Sequence, residues 1–407
     1  MSVTSRGGAR GSGGPMPHRL VALLALAFVA AGCNGRPILA NEPIVFPSPV
    51  VASPAPPRPA DPISVVLPRD DGPHDRLTEW WYYTGHLEAA DGRRFGFEAV
   101  IFRAERGAVP GAWAAHLALT DEAGYRFFYA QRSEIGRQVD QSPRDAAGEP
   151  TGFDLRVAGL NPELVAAGAP PIAAPWRLAG ANGTDRIEAT LAPEEATAAG
   201  ASFGLALDLR ATRAPVLHDL DGFVEFGPAG TSYYYSRTRL EASGELVLDG
   251  ERLAVSGIAW FDHQWGDFVS VGAGGWDWFA INLDDGTDLT ISIVRDENAN
   301  EILQYGTLVR PSGEVVNLRY PEDFGVAVSP VVGWQSPTSG VSYPASWSVA
   351  VGEDLTIDLR PTVVHQELDT RATTGVIYWE GSQIVEAARN GVPISGEAYV
   401  EITRYGR

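Results

Sequence analysis

Apolar and polar residues alternate with a period of two along most of the chain from Leu77 onward. Phe95, Phe97, Ala99 and Ile101 take alternate positions between Arg93 and Arg103, and Leu289, Ile291 and Ile293 do the same between Asp288 and Arg295. Successive side chains of a strand point to opposite faces, so each segment predicts a strand with one apolar face. Asp91-Gly92, Asp249-Gly250 and Asp285-Gly286 fall between such segments. They predict hairpins, because Asp-Gly pairs accept the left-handed backbone of a tight turn. Glu245 to Trp260 thus reads as two strands around Asp249-Gly250. Helical periodicity is scarce, with Pro193–Ala199 and Pro162–Ala167 as candidate short helical turns.

The pattern repeats itself. Trp80-Trp81-Tyr82-Tyr83-Thr84-Gly85-His86-Leu87 precedes Asp91-Gly92 and a strand ending at Arg103. Trp276-Asp277-Trp278-Phe279-Ala280-Ile281-Asn282-Leu283 precedes Asp285-Gly286 and a strand ending at Arg295. An aromatic strand, a turn and a second strand in two copies suggest two related β domains in tandem. Many short strands between Gly/Asp turns fit barrels or sandwiches. The expected class is all-β, with few short helices.

The first part of the chain differs. Residues 1–15 are rich in Gly, Ser and Arg, and Met16, His18 and Arg19 precede the apolar run Leu20 to Ala31. That run is too short to span a bilayer but suits a secretory signal. It ends Val29-Ala30-Ala31-Gly32-Cys33, and Cys33 is the single cysteine. This resembles a bacterial lipoprotein signal, which predicts lipidation at Cys33 and anchoring to the membrane of the cell envelope, outside the cytoplasm. Prolines crowd the stretch from Pro37 to Pro62 and predict an extended tether. The expected organisation is a signal region 1–33, a tether 34–62, a first β domain 63–243 and a second 244–407.

Composition narrows the chemistry. The 407 residues carry 31 basic side chains, all arginine, against 51 acidic ones, for a net charge of −20. Without lysine, neither Schiff-base nor P-loop chemistry is available. The acidic balance disfavours nucleic acid as a partner. A lone cysteine excludes internal disulfides and thiolate metal sites. The H-E-x-x-H, G-x-G-x-x-G and C-x-x-C signatures are absent.

Aromatic–polar clusters remain. In Trp260-Phe261-Asp262-His263-Gln264-Trp265, the residues Phe261, His263 and Trp265 share one face of a strand, and Trp260, Asp262 and Gln264 the other. If residues 266–274 close a hairpin, His263 lies opposite Asp277 of the next strand. An imidazole beside a desolvated carboxyl could supply a proton donor, or could simply be a buried hydrogen bond fixing two strands. His86 and His116 read equally as satisfied core histidines, and nothing in their spacing with His263 requires a metal site, so no metal is expected.

In order along the chain stand Glu79-Trp80-Trp81-Tyr82, Thr84-Gly85-His86-Leu87, His116 to Asp121, Tyr234-Tyr235-Ser236, Val255-Ser256-Gly257, Asp262-His263-Gln264-Trp265-Gly266 and Tyr378-Trp379-Glu380-Gly381. Together these resemble the carotenoid 1,2-hydratase (hydroxyneurosporene synthase)/AttH-like family. The resemblance implies two tandem lipocalin-like antiparallel β-barrels with a ligand site at or between them. It also implies cofactor-free hydration of an isoprenoid double bond, in which an acid protonates the alkene and water captures the cation. On that resemblance Asp277 is the expected proton donor, with Asp262 the other candidate and His263 the partner. Trp265 and Trp278 are the expected cation-facing walls, and Trp276, Trp81, Tyr83, His86 and His116 further candidates for the binding wall.

The expected function is action on a large apolar ligand (isoprenoid, polyene or lipid) by acid-catalysed hydration or isomerisation. A non-catalytic carrier of such a ligand is the alternative, and a secreted hydrolase or carbohydrate-binding protein a third reading. Cavity chemistry separates them. An apolar pocket with a carboxyl of raised pKa favours an enzyme, a pocket without one favours a carrier, and a groove rimmed by exposed Trp favours sugar binding.

Overall fold

The computed structural model describes residues 60–106, 109–159, 174–227, 230–268, 274–296, 298–329 and 333–403. The signal region with Cys33, nearly all of the tether, Pro162–Ala167 and the expected turn around residue 270 lie outside them.

The first sheet holds twelve strands. They are β1 (Thr78–Ala89), β2 (Arg94–Arg106), β3 (Val109–Asp121), β4 (Arg126–Ile135), β5 (Phe153–Val157) and β6 (Trp176–Ala181), followed by β7 (Thr184–Thr190), β8 (Phe203–Ala211), β9 (Val216–Leu217), β10 (Phe223–Glu225), β11 (Thr231–Leu248) and β12 (Glu251–Gly266). The spatial order is β4-β3-β2-β1-β12-β11-β8-β7-β6-β5. Downstream come β13 (Trp276–Leu283), β14 (Asp288–Arg295), β15 (Glu301–Val309), β16 (Val315–Arg319), β17 (Phe324–Val328), β18 (Gly333–Gln335), β19 (Ser342–Pro344), β20 (Trp347–Val351), β21 (Leu355–Pro361), β22 (Glu367–Asp369), β23 (Ile377–Arg389) and β24 (Val392–Thr403). All of these except the β18–β19 pair form a second sheet, in the order β16-β15-β14-β13-β24-β23-β21-β20-β17, with β22 on β23.

The two orders are equivalent. In each, a four-stranded meander leads back to a first strand that pairs with the last strand of its sheet, β1 with β12 and β13 with β24. Each sheet curls into a nearly closed barrel, so the protein is two tandem lipocalin-like β-barrels. The internal repeat is structural down to its turns. Gly92 and Gly286 each donate to the carbonyl of the residue ending the preceding strand (Ala89 and Leu283), with left-handed φ of 85° and 88°. Asp249-Gly250 is the tighter turn, with both residues left-handed. Among the described residues the α-helix is α1 (Pro193–Ala199).

The expected boundary between 243 and 244 falls inside β11. That strand pairs with β12 nearly end to end, so the first barrel runs to Gly266 and the second begins at Trp276. The hairpin expected to set His263 against Asp277 is therefore absent. β12 pairs with β1 and β11, while β13 pairs with β14 and β24. A period-two pattern shows that two neighbouring strands exist, but not that they pair with each other.

The first barrel is filled rather than hollow. Trp81, Trp113, Phe153 and Phe261 are buried in its core, the Phe153 and Phe261 rings stacked at 6.1 Å. Asp71 accepts from Arg237 at 2.8 Å, from the Tyr235 hydroxyl at 2.5 Å and from the Asn182 amide at 2.9 Å, so this buried charge is fully engaged. The segment before β1 covers the mouth, held by Arg76 on Asp61 and Asp267 and by the Trp81 indole on the Asp71 carbonyl. Trp347, Trp379 and Phe279 form the corresponding core of the second barrel.

Candidate active site

The aromatic doublets acquire a simple meaning. On β1, Trp81 and Tyr83 point into the first barrel, while Trp80 and Tyr82 point toward the second. On β12, Phe261, His263 and Trp265 point inward and Trp260 outward. On β13 and β24, Phe279 and Val400 are core, whereas Trp278 and Tyr399 face the first barrel. These strands are buried on both faces, which is why their sequences lose clean alternation.

Between the barrels the two outer faces leave a cavity of about 120 Å³. Its walls are mainly aromatic: Trp80, Tyr82, Phe102, Phe226, Tyr234, Phe268, Trp276, Trp278 and Tyr305. A dry apolar cavity of similar size, about 150 Å³, accepts a benzene ring. The space therefore suits the tip of an apolar chain, not a whole polyene.

Two carboxyls line this cavity, Asp262 from β12 and Glu401 from β24. Asp262 accepts from the Tyr234 hydroxyl at 2.5 Å, from the Trp260 indole at 2.6 Å and from Ser236. Burial pushes its pKa up to about 6, against the pull of those donors, which favour the ionised form. Glu401 accepts from the Trp276 indole at 2.8 Å. Burial, with the charge of Asp262 adding to it, raises its pKa to about 8.

Behind them lie two more buried acids. Glu380 of β23 is the direct cross-strand partner of Glu401. Its pKa is driven well above the usual value by burial, then by the charges of Glu98 and Glu401. The Tyr82 hydroxyl lies close enough to favour ionised Glu380 and Glu401, yet neither oxygen of Glu380 closes a hydrogen bond of good geometry. Glu98 of β2 takes the Tyr378 hydroxyl at 2.7 Å, and burial raises it to about 8.

Each end of this acid set is tied through a hydroxyl to a histidine that burial keeps neutral. His116 Nδ1 meets Tyr378 Oη at 2.7 Å, and that hydroxyl donates to Glu98. His218 Nε2 meets Ser236 Oγ at 2.7 Å, and that hydroxyl donates to Asp262. Burial lowers both imidazoles to about 3.

The residues expected from sequence separate into two groups. Asp262, Trp276, Trp278 and His116 line the cavity. His263, Trp265, Trp81 and Tyr83 do not, because they occupy the inward positions of their strands. His263 stacks on Trp81 at 4.6 Å and binds Glu79, and Trp265 stacks on His74 at 4.0 Å. Asp277 lies on the face of β13 that lines the second barrel, held by Arg295 at 2.7 and 2.9 Å. Paired this way it is not set against His263, and Trp265 and Trp278 are not two walls of one site. His86 does not line the cavity either; its Nε2 lies 3.2 Å from the Ala398 carbonyl oxygen. His86, His116 and His263 do not converge.

Glu401, Glu380, Glu98, Tyr234 and His218 were not among the expected site residues. One signal was available. A charged residue at an alternate position of a strand whose other positions are aromatic, as in Tyr378-Trp379-Glu380 and Tyr399-Val400-Glu401, marks a second buried face.

Relatives agree with this architecture. Residues 58–405 match the family model described as AttH-like. A protein of Nitrosomonas europaea described as an AttH, known as a crystal structure, shares 30% identity, with a TM-score of 0.66 over 84% of this chain and 98% of that one. Kievitone hydratase of Nectria haematococca superposes with a TM-score of 0.61 at 15% identity, over 84% of this chain and 93% of that one, a likeness of fold. Among curated proteins none matches by sequence. A family match spanning both barrels, together with a relative covered almost throughout, shows that this chain belongs to the AttH-like family.

Proposed function

We propose that the protein is a cofactor-free acid–base catalyst that hydrates or isomerises a double bond at the end of an apolar substrate in the inter-barrel cavity. The observation that carries this reading is the pairing of Asp262 and Glu401, two cavity-lining acids whose surroundings push their pKa values apart. At neutral pH Glu401 keeps its proton and Asp262 is largely ionised. Glu401 donates that proton to one alkene carbon, and the cation forms on the other. Trp278, Trp276 and Tyr82 line the cavity, and aromatic rings can stabilise such a cation. Water adds to the cation and gives a proton to Asp262; loss of a neighbouring C–H proton to Asp262 instead yields the shifted alkene, and in both cases exchange with solvent returns a proton to Glu401. The double bond and one water are consumed in the first case, nothing but position in the second. Kievitone hydratase, which shares the fold, is by name a hydratase, and this supports the first outcome.

The carrier reading has less support, because the first barrel's interior is packed and the cavity wall carries carboxyls. The reading includes lipid anchoring at Cys33 in the bacterial cell envelope, outside the cytoplasm, supported by the apolar run Leu20 to Ala31 before that cysteine. Among the described residues no helix is long and apolar enough to cross a membrane.

The test is incubation with acyclic isoprenoids and polyenes in oxygen-18 water and in deuterium oxide. Hydration incorporates both labels, isomerisation only deuterium, and a carrier neither. Bound but unlabelled ligand recovered from active preparations would sink the catalytic reading.

A further inference from the structure

On the other face of β1 and β12, at the covered mouth of the first barrel, three metal-ligating side chains converge. His74 comes from the segment before β1, Glu79 from β1 and His263 from β12. Glu79 Oε1 lies 2.7 Å from His74 Nδ1 and 3.0 Å from His263 Nε2. The three donor atoms all lie within 4.8 Å of one another. We propose that His74, Glu79 and His263 bind one divalent transition-metal ion, of the zinc type, that clamps the N-terminal segment across the mouth of the barrel.

Six features support the assignment. The donor set of two imidazoles and one carboxylate suits zinc and its neighbours rather than calcium or magnesium. Tetrahedral bonds of about 2.0–2.1 Å place donor atoms roughly 3.4 Å apart, so the spacings of 2.7 and 3.0 Å need to open by less than about 1 Å. Both rings are already fixed in plane, His74 on Trp265 with centroids 4.0 Å apart and His263 on Trp81 at 4.6 Å. The remote Nε2 of His74 faces Asp70 at 3.4 Å, the carboxylate–histidine arrangement that orients a metal ligand. The other carboxylate oxygen, Glu79 Oε2, takes the shorter contact of the His74 amide, 2.9 Å against 3.2 Å to Oε1, and faces Arg103 at 3.5 Å, while both imidazoles meet Oε1. Glu79 and His263 are fully buried, while His74 keeps 18% of its side chain exposed and gives an ion its path in. One ion would take the place of the proton between His74 Nδ1 and Oε1, while neutral His263 would carry its single proton on Nδ1 and ligate through Nε2. Its three protein bonds would join the covering segment to two strands, a structural task that leaves a fourth position for water.

The full chain, freed of metal and titrated with zinc chloride alone, tests this. The expected result is one zinc per chain at micromolar affinity or tighter, with a Tm raised by a few degrees at saturation. His74→Ala, at a partly exposed position, should lose both effects. Cobalt(II) added to the wild-type chain provides a reading that needs no variant, and should give the intense visible bands of a low-coordinate site. Zinc binding weaker than micromolar, equal binding by His74→Ala, or only the faint spectrum of aqueous cobalt would each overturn the site.

Discussion

Glu380 and Glu401 stand directly opposite each other on β23 and β24, Glu380 fully buried and Glu401 half-buried at the cavity wall where the two barrels meet. Like charges at such positions destabilise a sheet, and two ionised carboxylates here would do so with little solvent to screen them. The pair is stable because it holds protons.

This gives the fold a pH dependence of definite sign. Glu98 and Glu401 titrate near 8 in the folded chain and near 4.5 unfolded, and Glu380 is raised further. Through that window the folded state binds protons that the unfolded state releases. The contribution of these three acids is therefore fully present below pH 4.5 and is lost as pH rises through about 8. One such acid accounts for a loss on the order of 3–5 kcal/mol. Thermal melts from pH 5 to 9 should show a falling Tm, and Glu401→Gln should flatten the fall.

Catalysis should follow a bell-shaped profile. Rate rises as Asp262 ionises near pH 6 and falls as Glu401 loses its proton near pH 8. Asp262→Asn and Glu401→Gln should each lower kcat by about 10²–10⁴ while ligand is still bound. Residual activity of Asp262→Asn should lose the acidic limb, and that of Glu401→Gln the alkaline one. An unchanged profile in either variant removes that residue from the reaction.

Trp265 and Trp278 should behave differently. Trp265→Ala empties a core position of the first barrel and should cost about 3–5 kcal/mol in denaturant titrations. Trp278→Leu keeps the interface apolar but removes a ring from the cavity. It should weaken binding of an apolar ligand at least tenfold with a smaller loss of stability. Equal effects of the two on ligand affinity would contradict the division of faces.

The Asp71–Arg237 pair is buried inside the first barrel. Arg237→Met should leave Asp71 charged without its cation and destabilise by about 3–5 kcal/mol, seen as a lower denaturation midpoint. Asp71→Asn paired with Arg237→Met should recover part of that loss.

Much of this was legible in residue order. The inward faces at Phe95–Ile101 and Leu289–Ile293, the turn at Asp249-Gly250 and the doubling of the aromatic hairpin are local, and local patterns report local structure. The His263–Asp277 pairing was not legible, because sequence neighbours need not be sheet neighbours. β12 turns from its successor to pair with β1, a contact that no short window contains. Glu401 and Glu380 were marked only by a charge among apolar and aromatic neighbours. Their role depends on a face that becomes interior only when a second barrel covers it, and alternation alone marks such positions as solvent-facing.

The closing strands have a consequence for how the protein comes into being. Each barrel is sealed by its first and last strands, and those same strands supply the cavity walls, with Glu401 on β24. A nascent chain can complete the first barrel and display Asp262 and its aromatic wall while the second acid is still unsynthesised. Until β24 pairs with β13, a contact of long sequence separation and slow formation, the half-built molecule exposes a large apolar face. The acid-lined cavity is thus the last thing to assemble, and the interval before that is when the chain most needs protection from aggregation.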